Sequence, residues 1–368
     1  MELVNATKMH AGYTMGMEPS GRESIVVAVK GTFEIPSDAG EPKLAAEQEP
    51  LVTADTFTGA PGLSSMLYES EFAPVKPRCD VLFNGSAYAP GGKPVERVRV
   101  TLRLGSWVKS LMVVGDRYWS TGFAGFRPSD IKPFSVMPIS YDRAWGGSHA
   151  SERNPDEMVA YLENPIGCGY YLGEDPKKIV GRPLPNTEVE EDPISRPAGK
   201  HRPIALGAIS RNFAMRVSLA GTYDDKWLAE CFPFLPEDFD ARYYQSAPPD
   251  QQITHPLGGE EVELTNLTPE GRTRFRLPKV EVPVEFTSIS SERSVVPASL
   301  DTIIIEPDLR RFMLVWRASI KLNQNIFEIR QGVVGRMPSG WYLAREVGKA
   351  YHATLPEAIA AQQLESRD

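Results

Sequence analysis

The sequence predicts a mainly β protein: two β-sandwich- or barrel-like units joined by a long loop-rich region, with a few short helices. Apolar residues mostly alternate with polar ones, which is the period of a strand with one buried face. The 368 residues include 32 prolines and 30 glycines. This proline content argues against a helix bundle, because each proline interrupts a helix interior. Short strands between Pro/Gly turns favour a sandwich or a barrel over alternating βαβ units.

Several strands follow directly from the pattern. Residues 24–35 predict a buried strand, and residues 98–104 alternate between valine or leucine and arginine or threonine. Residues 111–114 and 117–119 predict a hairpin around a Gly115-Asp116 turn. Further strands are predicted at residues 213–219, 262–264, 280–286, 302–305, 312–320 and 326–334.

Three short helices are predicted from their capping signals. Asn154-Pro155 begins the first, which runs to about residue 162; the second covers residues 222–230; the third begins at Thr354 with capping-box spacing and runs to about Leu364. Alternation is lost between about 120 and 203. We therefore predict an N-terminal β unit at 1–120, a connecting and covering region at 121–203, and a C-terminal β unit ending in a short helix at 204–368.

Charge and cysteine content limit the class of protein. The net charge is −8, with 40 basic and 48 acidic residues, so nucleic acid, which is bound by basic surfaces, is not an expected partner. Cys79, Cys168 and Cys231 lack CxxC spacing and predict a reducing compartment without disulfides. The N-terminus has no signal-peptide pattern, and the longest apolar run, 25–29, is far too short for a membrane span. We expect a cytoplasmic protein.

No spacing typical of catalysis, metal binding or cofactor binding is present. The histidines never fall at HxH or HxxxH spacing, so structural or solvent-exposed histidines are favoured over a metal site. There is no G-x-S-x-G nucleophile elbow. Cys168 stands between glycines and is interpreted as a small residue in a turn. We therefore predict no catalytic residue, no metal ligand and no cofactor.

Three segments combine aromatic and charged side chains: 141–147, 222–227 and 239–244. Trp, Tyr and Arg are enriched at protein-binding hot spots, whereas Trp and Tyr beside carboxylates also suit a sugar platform with a general-acid pair. A third interpretation is internal, with Asp–Arg pairs and aromatics fastening irregular loops. The candidate partner-contact residues are Tyr141, Asp142, Arg143, Trp145, Tyr223, Asp224, Trp227, Asp240 and Arg242.

An ordered series of motifs resembles a known family over nearly the whole chain. Its parts lie at 80–92, 115–119, 137–147, 164–170, 184–188, 221–224, 235–240 and 247–252. Taken together they look like the bacterial family called domain of unknown function 2169 (DUF2169), accessory proteins of type VI secretion.

The resemblance implies a non-enzymatic adaptor or chaperone that binds a PAAR-like protein or a toxic effector and assists its loading onto the VgrG spike. It implies no catalytic residues. Two alternatives stay open at this point. One is a carbohydrate-active β-sandwich enzyme that uses Asp142, Asp224 or Asp240, and the other is a structural component of the secretion particle.

Overall fold

The computed structural model describes residues 1–18, 20–37, 40–123, 125–357 and 359. Strands make up 38% of the structure and helices 13%, so the predicted mainly β class with few short helices is confirmed. Within the described residues, none of the sheets closes into a barrel. The helices of this part of the chain are all too short or too polar to cross a membrane.

The strands are labelled in chain order. They are β1 Glu2–Asn5, β2 His10–Met17, β3 Glu23–Glu34, β4 Thr56–Phe57, β5 Met66–Tyr68, β6 Cys79–Phe83, β7 Gly85–Tyr88, β8 Arg97–Leu104, β9 Trp107–Val114, β10 Trp119–Gly122, β11 Gly125–Pro128, β12 Val136–Ile139, β13 Trp145–Gly146, β14 Ser148–Ala150, β15 Met158–Ala160, β16 Cys168–Gly169, β17 Thr187–Glu188, β18 Gln252–Ile253, β19 Glu261–Thr265, β20 Arg272–Arg276, β21 Pro283–Ser288, β22 Arg293–Pro297, β23 Ser299–Glu306, β24 Arg311–Lys321 and β25 Ile329–Val334.

The helices are short. The α-helices are α1 Pro176–Ile179, α2 Ala214–Val217, α3 Asp225–Glu230 and α4 Ser339–Glu346. Single 3₁₀ turns cover Pro90–Gly92, Tyr141–Arg143, Ala241–Tyr244, Pro249–Gln251, Pro307–Leu309 and Ile326–Glu328.

The largest sheet has six strands in the order β18-β6-β23-β24-β3-β2. Its centre is the antiparallel pair β3–β24, which is in register along all eleven residues of β24. Strand β6 lies parallel to β23 on the other side. Both central strands are almost fully buried, as expected for strands covered on both faces.

A five-stranded sheet, in the order β17-β9-β8-β19-β20, packs onto the same core. Its strand β8 buries Val98, Val100, Leu102 and Leu104 and exposes its arginines, as the alternation predicts. A four-stranded sheet, β1-β25-β21-β22, completes this core. Strands from before residue 120 and after residue 203 pair with each other in all three sheets. The sheets therefore do not follow the predicted unit boundaries.

The predicted hairpin around Gly115-Asp116 is wrong. Strand β9 instead pairs with β8 through a two-residue turn, in which Gly105 has a φ of 56°, a left-handed conformation that glycine adopts without strain. After β9 the chain turns away, because Arg117 is buried and its guanidinium lies 2.6 Å from the carboxylate of Glu188. Trp119 then begins β10, which pairs with β11.

Two further local predictions are wrong because tertiary partners override the local pattern. The segment 154–162, predicted as a helix, instead contains strand β15, which pairs antiparallel with β14. The predicted strand at 213–219 contains α2, whose turn places buried Arg216 2.6 Å from the carboxylate of Glu69.

The other two helix predictions have different outcomes. The helix predicted at 222–230 is present as α3. The helix predicted from Thr354 lies mostly outside the described residues.

The region 121–203 is irregular, as predicted. Its described residues form elements of at most four residues. They are held by a separate apolar cluster that consists of Trp119, Trp145, Tyr171, Ile179, Leu184 and Ile194.

Buried ion pairs fasten the loops to the six-stranded sheet. The Asp80 carboxylate, on β6, is fully buried and lies 2.7 Å from the Lys76 ammonium. It also accepts hydrogen bonds from Gln245 Nε2 at 2.6 Å and from the Ser246 backbone N–H at 2.9 Å. Burial lowers the pKa of Lys76, but the neighbouring carboxylates of Asp80 and Asp301 raise it above its ordinary value. The Lys76 side chain is therefore held in its charged form.

We predict that Asp80→Ala lowers the free energy of unfolding by about 3–5 kcal/mol, because it leaves the Lys76 ammonium buried without its partner. Urea unfolding followed by circular dichroism measures this. Glu281→Ala is the matched control, since Glu281 and Arg336 form an ion pair in which both side chains are exposed, and its effect should stay below about 1 kcal/mol. Equal effects of the two substitutions would contradict this assignment.

Lys109, on β9, makes the stability of the folded protein depend on pH. It is buried, and its ammonium contacts Asp250 Oδ1 at 2.9 Å and Gln251 Oε1 at 2.7 Å. Burial lowers its pKa to about 8, with Asp250 partly opposing the shift. Between pH 8 and 10 the unfolded chain therefore binds a proton at this position that the folded chain has released. Under these conditions stability rises with pH.

We predict that this group adds about 2 kcal/mol to the free energy of unfolding between pH 8 and pH 10. Lys109→Met should lack this increment, because its side chain does not titrate. The measurement is a series of urea unfolding curves of both proteins across this pH range. Parallel pH profiles would refute the prediction, whatever the absolute stabilities.

Candidate partner-binding site

The predicted contact residues separate into two groups, one buried or partly buried and the other mostly exposed. Tyr141 and Trp145 are buried, and Asp142 and Arg143 are partly buried. The remaining five lie on the segment 221–244, where Tyr223, Asp224 and Arg242 are exposed and Trp227 and Asp240 are half-buried.

The side chains of the first group, in the segment 141–145, make internal contacts that hold neighbouring loops together. The Tyr141 ring packs edge-on against Phe213, with 5.6 Å between ring centroids, and burial raises the pKa of its hydroxyl. Asp142 accepts hydrogen bonds from the Ser65 and Ser140 hydroxyls. The Arg143 guanidinium donates to Asn186 Oδ1 at 3.0 Å.

Trp145 is the centre of a buried aromatic cluster and is only 1% exposed. Its ring meets His201 edge-on at 4.8 Å between centroids, and it meets Tyr161 and Tyr170 edge-on at 6.2 Å. The His201 Nδ1 lies 2.9 Å from an Asp192 carboxylate oxygen. In this conformation the Trp145 side chain is enclosed by the protein and has no free surface to offer a partner.

One glycine and one asparagine explain why the loop 141–147 packs so tightly against residues 164–170. Gly146 has a φ of 145°, and a Cβ placed on it would lie 2.1 Å from the Asn164 carbonyl oxygen. The Asn164 amide donates to the carbonyls of Tyr141 at 2.8 Å and of Trp145 at 3.0 Å. The motifs at 137–147 and 164–170 are therefore two halves of one packed structure.

The second group forms an exposed aromatic surface on the segment 221–244. The half-buried Trp227 ring meets Tyr223 at 4.7 Å and Phe232 at 5.7 Å between centroids, both edge-on. Its Nε1 donates to the Phe234 carbonyl at 3.0 Å. Tyr223 is 54% and Phe232 62% exposed, and Leu228, which follows Trp227 on α3, is 59% exposed. We call these residues together with Phe234 the aromatic surface.

Hydrogen bonds accepted by carboxylates stabilise the conformation of this segment. Asp224 caps α3 by accepting from the Trp227 backbone N–H at 2.8 Å. Asp238 accepts from the backbone N–H and hydroxyl of Thr222, and these bonds lower its pKa. The Arg242 guanidinium hydrogen-bonds Asp240 and lowers the pKa of that carboxyl.

The aromatic surface is also acidic. The segment 221–244 contains six carboxylates and two cations. The carboxylates are Asp224, Asp225, Glu230, Glu237, Asp238 and Asp240.

Sequence reasoning missed Leu228, Phe232 and Phe234. For Phe232 and Phe234 the signal was present: residues 231–236 read Cys-Phe-Pro-Phe-Leu-Pro, and prolines at this spacing cannot form a central strand, so the apolar side chains between them need not be core residues. The three carboxylates considered for sugar chemistry each have local hydrogen-bonding partners. Asp142 belongs to the buried group, whereas Asp224 and Asp240 cap short helical turns on the surface segment.

Trp145 is buried and Tyr223 is exposed, and this difference gives a stability prediction. Trp145→Ala should lower the free energy of unfolding by about 3–5 kcal/mol, because it leaves a cavity in the aromatic cluster. Tyr223→Ala should cost less than about 1 kcal/mol, because more than half of that side chain is already in solvent. Thermal and urea unfolding test this. If Trp145→Ala proved as stable as Tyr223→Ala, the burial assigned to Trp145 would be wrong.

Comparison with known proteins agrees with the motif series. No curated protein and no solved structure matches the chain. The family described as "Uncharacterized protein conserved in bacteria (DUF2169)" matches residues 20–317, which is most of the chain and includes most of the six-stranded sheet, the buried aromatic cluster and the aromatic surface. The chain belongs to the DUF2169 family.

Proposed function

We propose that this protein is a non-enzymatic cytoplasmic adaptor of type VI secretion. It binds a PAAR-like protein or a toxic effector and assists its loading onto the VgrG spike. The role is the one implied by the motif resemblance. The observation that carries the proposal is the aromatic surface of the segment 221–244.

The aromatic surface has the composition of a protein-binding hot spot. Trp and Tyr, enriched in such spots, stand here beside exposed Leu228 and Phe232. A contiguous exposed apolar surface with a polar rim is typical of an interaction site. Burying these side chains against a partner removes apolar area from water and supplies the main driving force for association.

The local structure presents these side chains in a fixed arrangement. The Trp227 ring is held by its bond to the Phe234 carbonyl and by the edge-on contacts with Tyr223 and Phe232. A partner therefore does not need to order this surface on binding, which reduces the entropic cost of association. The carboxylates around it favour a partner segment that combines apolar anchors with lysine or arginine.

The test is co-expression with a PAAR-like effector from the same bacterium, followed by size-exclusion chromatography and measurement of the dissociation constant. The wild-type protein should form a stable complex. Leu228→Ser and Tyr223→Ser should each weaken binding about tenfold or more, because each removes a hot-spot contact, and neither should lower the melting temperature appreciably.

Leu162→Ser is the matched control, because Leu162 is similarly exposed, at 68%, but lies outside the aromatic surface. Its complex should match that of the wild-type protein. The proposal fails if no complex forms and the effector's cellular level is unchanged when this protein is deleted. If the complex forms but Leu228→Ser and Leu162→Ser behave alike, the aromatic surface is not the contact.

A further inference from the structure

A cavity of about 420 Å³ lies beside the six-stranded sheet, away from the aromatic surface. Strands β5, β7 and β12 and the turn Pro307–Leu309 line this cavity, which is open to solvent on one side. Cavities of this size are in the range that holds small molecules or a partner's side chain. Its position follows from the parallel pair β6–β23, in which Phe83 is opposite Ile305. The residues that follow each strand therefore meet at one edge of the sheet.

The walls of this cavity are mostly apolar. The apolar side chains that line it are those of Met66, Leu67, Pro138, Ile139, Ala208 and Leu309. Two of the motif segments contribute to the wall, 80–92 through Asn84, Gly85 and Ser86 and 137–147 through Pro138 to Tyr141.

The charged residues of the lining are both acidic: Glu306 and Asp308. Glu306 is buried, accepts from Arg311 Nε at 2.8 Å and from Asn84 Nδ2 at 3.3 Å, and is also hydrogen-bonded by the Tyr68 hydroxyl. This carboxylate already has a cationic partner.

Asp308 has hydroxyl partners and stands among arginines that are paired elsewhere. Its two oxygens accept from the Ser86 hydroxyl at 2.8 Å and from the Tyr88 hydroxyl at 2.8 Å. The adjacent Arg310 lies 4.0 Å from Glu270, and Arg311 binds Glu306 and Glu49. A carboxylate accepts about four hydrogen bonds, so about two positions on Asp308 are open to a donor.

We propose that this cavity binds an alkyl cation: an ammonium or guanidinium group carried on an apolar stem. The stem packs against the apolar wall, and the cation donates to Asp308 at the mouth. A hydrocarbon alone would gain nothing from the exposed Asp308 carboxylate at the mouth, and an anion would be repelled by Asp308 and Glu306. This chemistry belongs to the lysine or arginine side chain of a partner polypeptide and also to free alkylamines. The inference goes beyond the adaptor role, since it holds for a free amine without any effector.

The experiment is a ligand-observed NMR titration of the full chain with 1-aminohexane and, separately, with hexan-1-ol, which has the same stem without the charge. We expect the amine to bind about fivefold more tightly than the alcohol, as for an ion pair at a partly exposed site. Asp308→Asn should reduce the affinity for the amine to that for the alcohol and leave the alcohol unchanged. Leu309→Ala, at an exposed wall position, should weaken both ligands.

Asp156→Asn is the control, because it makes the same change at an exposed carboxylate outside both the cavity lining and the aromatic surface, and it should bind both ligands like the wild-type protein. Equal affinity for amine and alcohol, or an Asp308→Asn protein that binds the amine as the wild-type protein does, would overturn the proposal.

N-acetyl-lysine methylamide distinguishes the two sources of the alkyl cation, a side chain of a partner polypeptide and a free alkylamine. Binding as tight as that of 1-aminohexane identifies a side-chain site on a polypeptide, and exclusion of this compound identifies a site for free amines. No effector is present in these titrations, so their outcome does not depend on the adaptor role.

Discussion

The backbone pairing of β3 with β24 is the constraint on which the architecture depends. These strands come from opposite ends of the chain, yet they pair in register along the whole of β24. Such non-local pairing is entropically costly to close. The apolar residues of β3 and β24 that face the shared core, among them Val27, Val29 and Leu314, offset that cost. Once β24 is in place, β23 follows as its antiparallel neighbour, and β6 adds in parallel beside β23.

The sequence predicts strands that bury one face, because apolar and polar residues alternate along them. Strand β8 is an example, because the alternation of Val98, Val100 and Leu102 with arginine has no other stable interpretation. The predictions fail where a single distant contact outweighs the local pattern. Arg216 draws its segment into a helical turn because Glu69 and two backbone carbonyls accept from it, and Glu69 lies far away in the sequence. The mixing of strands from both chain ends is also a property of long-range pairing, which alternation does not encode.

Aromatic and acidic composition alone does not distinguish the buried site from the exposed one. Trp145 and Trp227 have similar neighbours in the sequence: a tyrosine four residues before each of them and an aspartate three residues before. Their burial differs because Gly146 lets the backbone approach Asn164 closely and Gly147 lets it approach Gly167, whereas α3 in the second segment has no buried residue. Thus the nine candidate residues contain both a structural cluster and a candidate contact surface. Only the backbone geometry around each tryptophan separates them.

The acidic character of the chain acts differently at its two candidate sites. Around the aromatic surface the carboxylates are in solvent, so their attraction for a basic partner is spread over a wide area and is screened by salt within about 10 Å. This kind of field mainly accelerates encounter and excludes acidic partners. In the cavity, the Asp308 carboxylate is also exposed, but it stands beside apolar wall residues, so a single cation is selected there by the fit of its apolar stem. A basic segment that approached the aromatic surface would therefore be attracted by the net charge, whereas occupancy of the cavity would depend on one side chain of suitable length and charge.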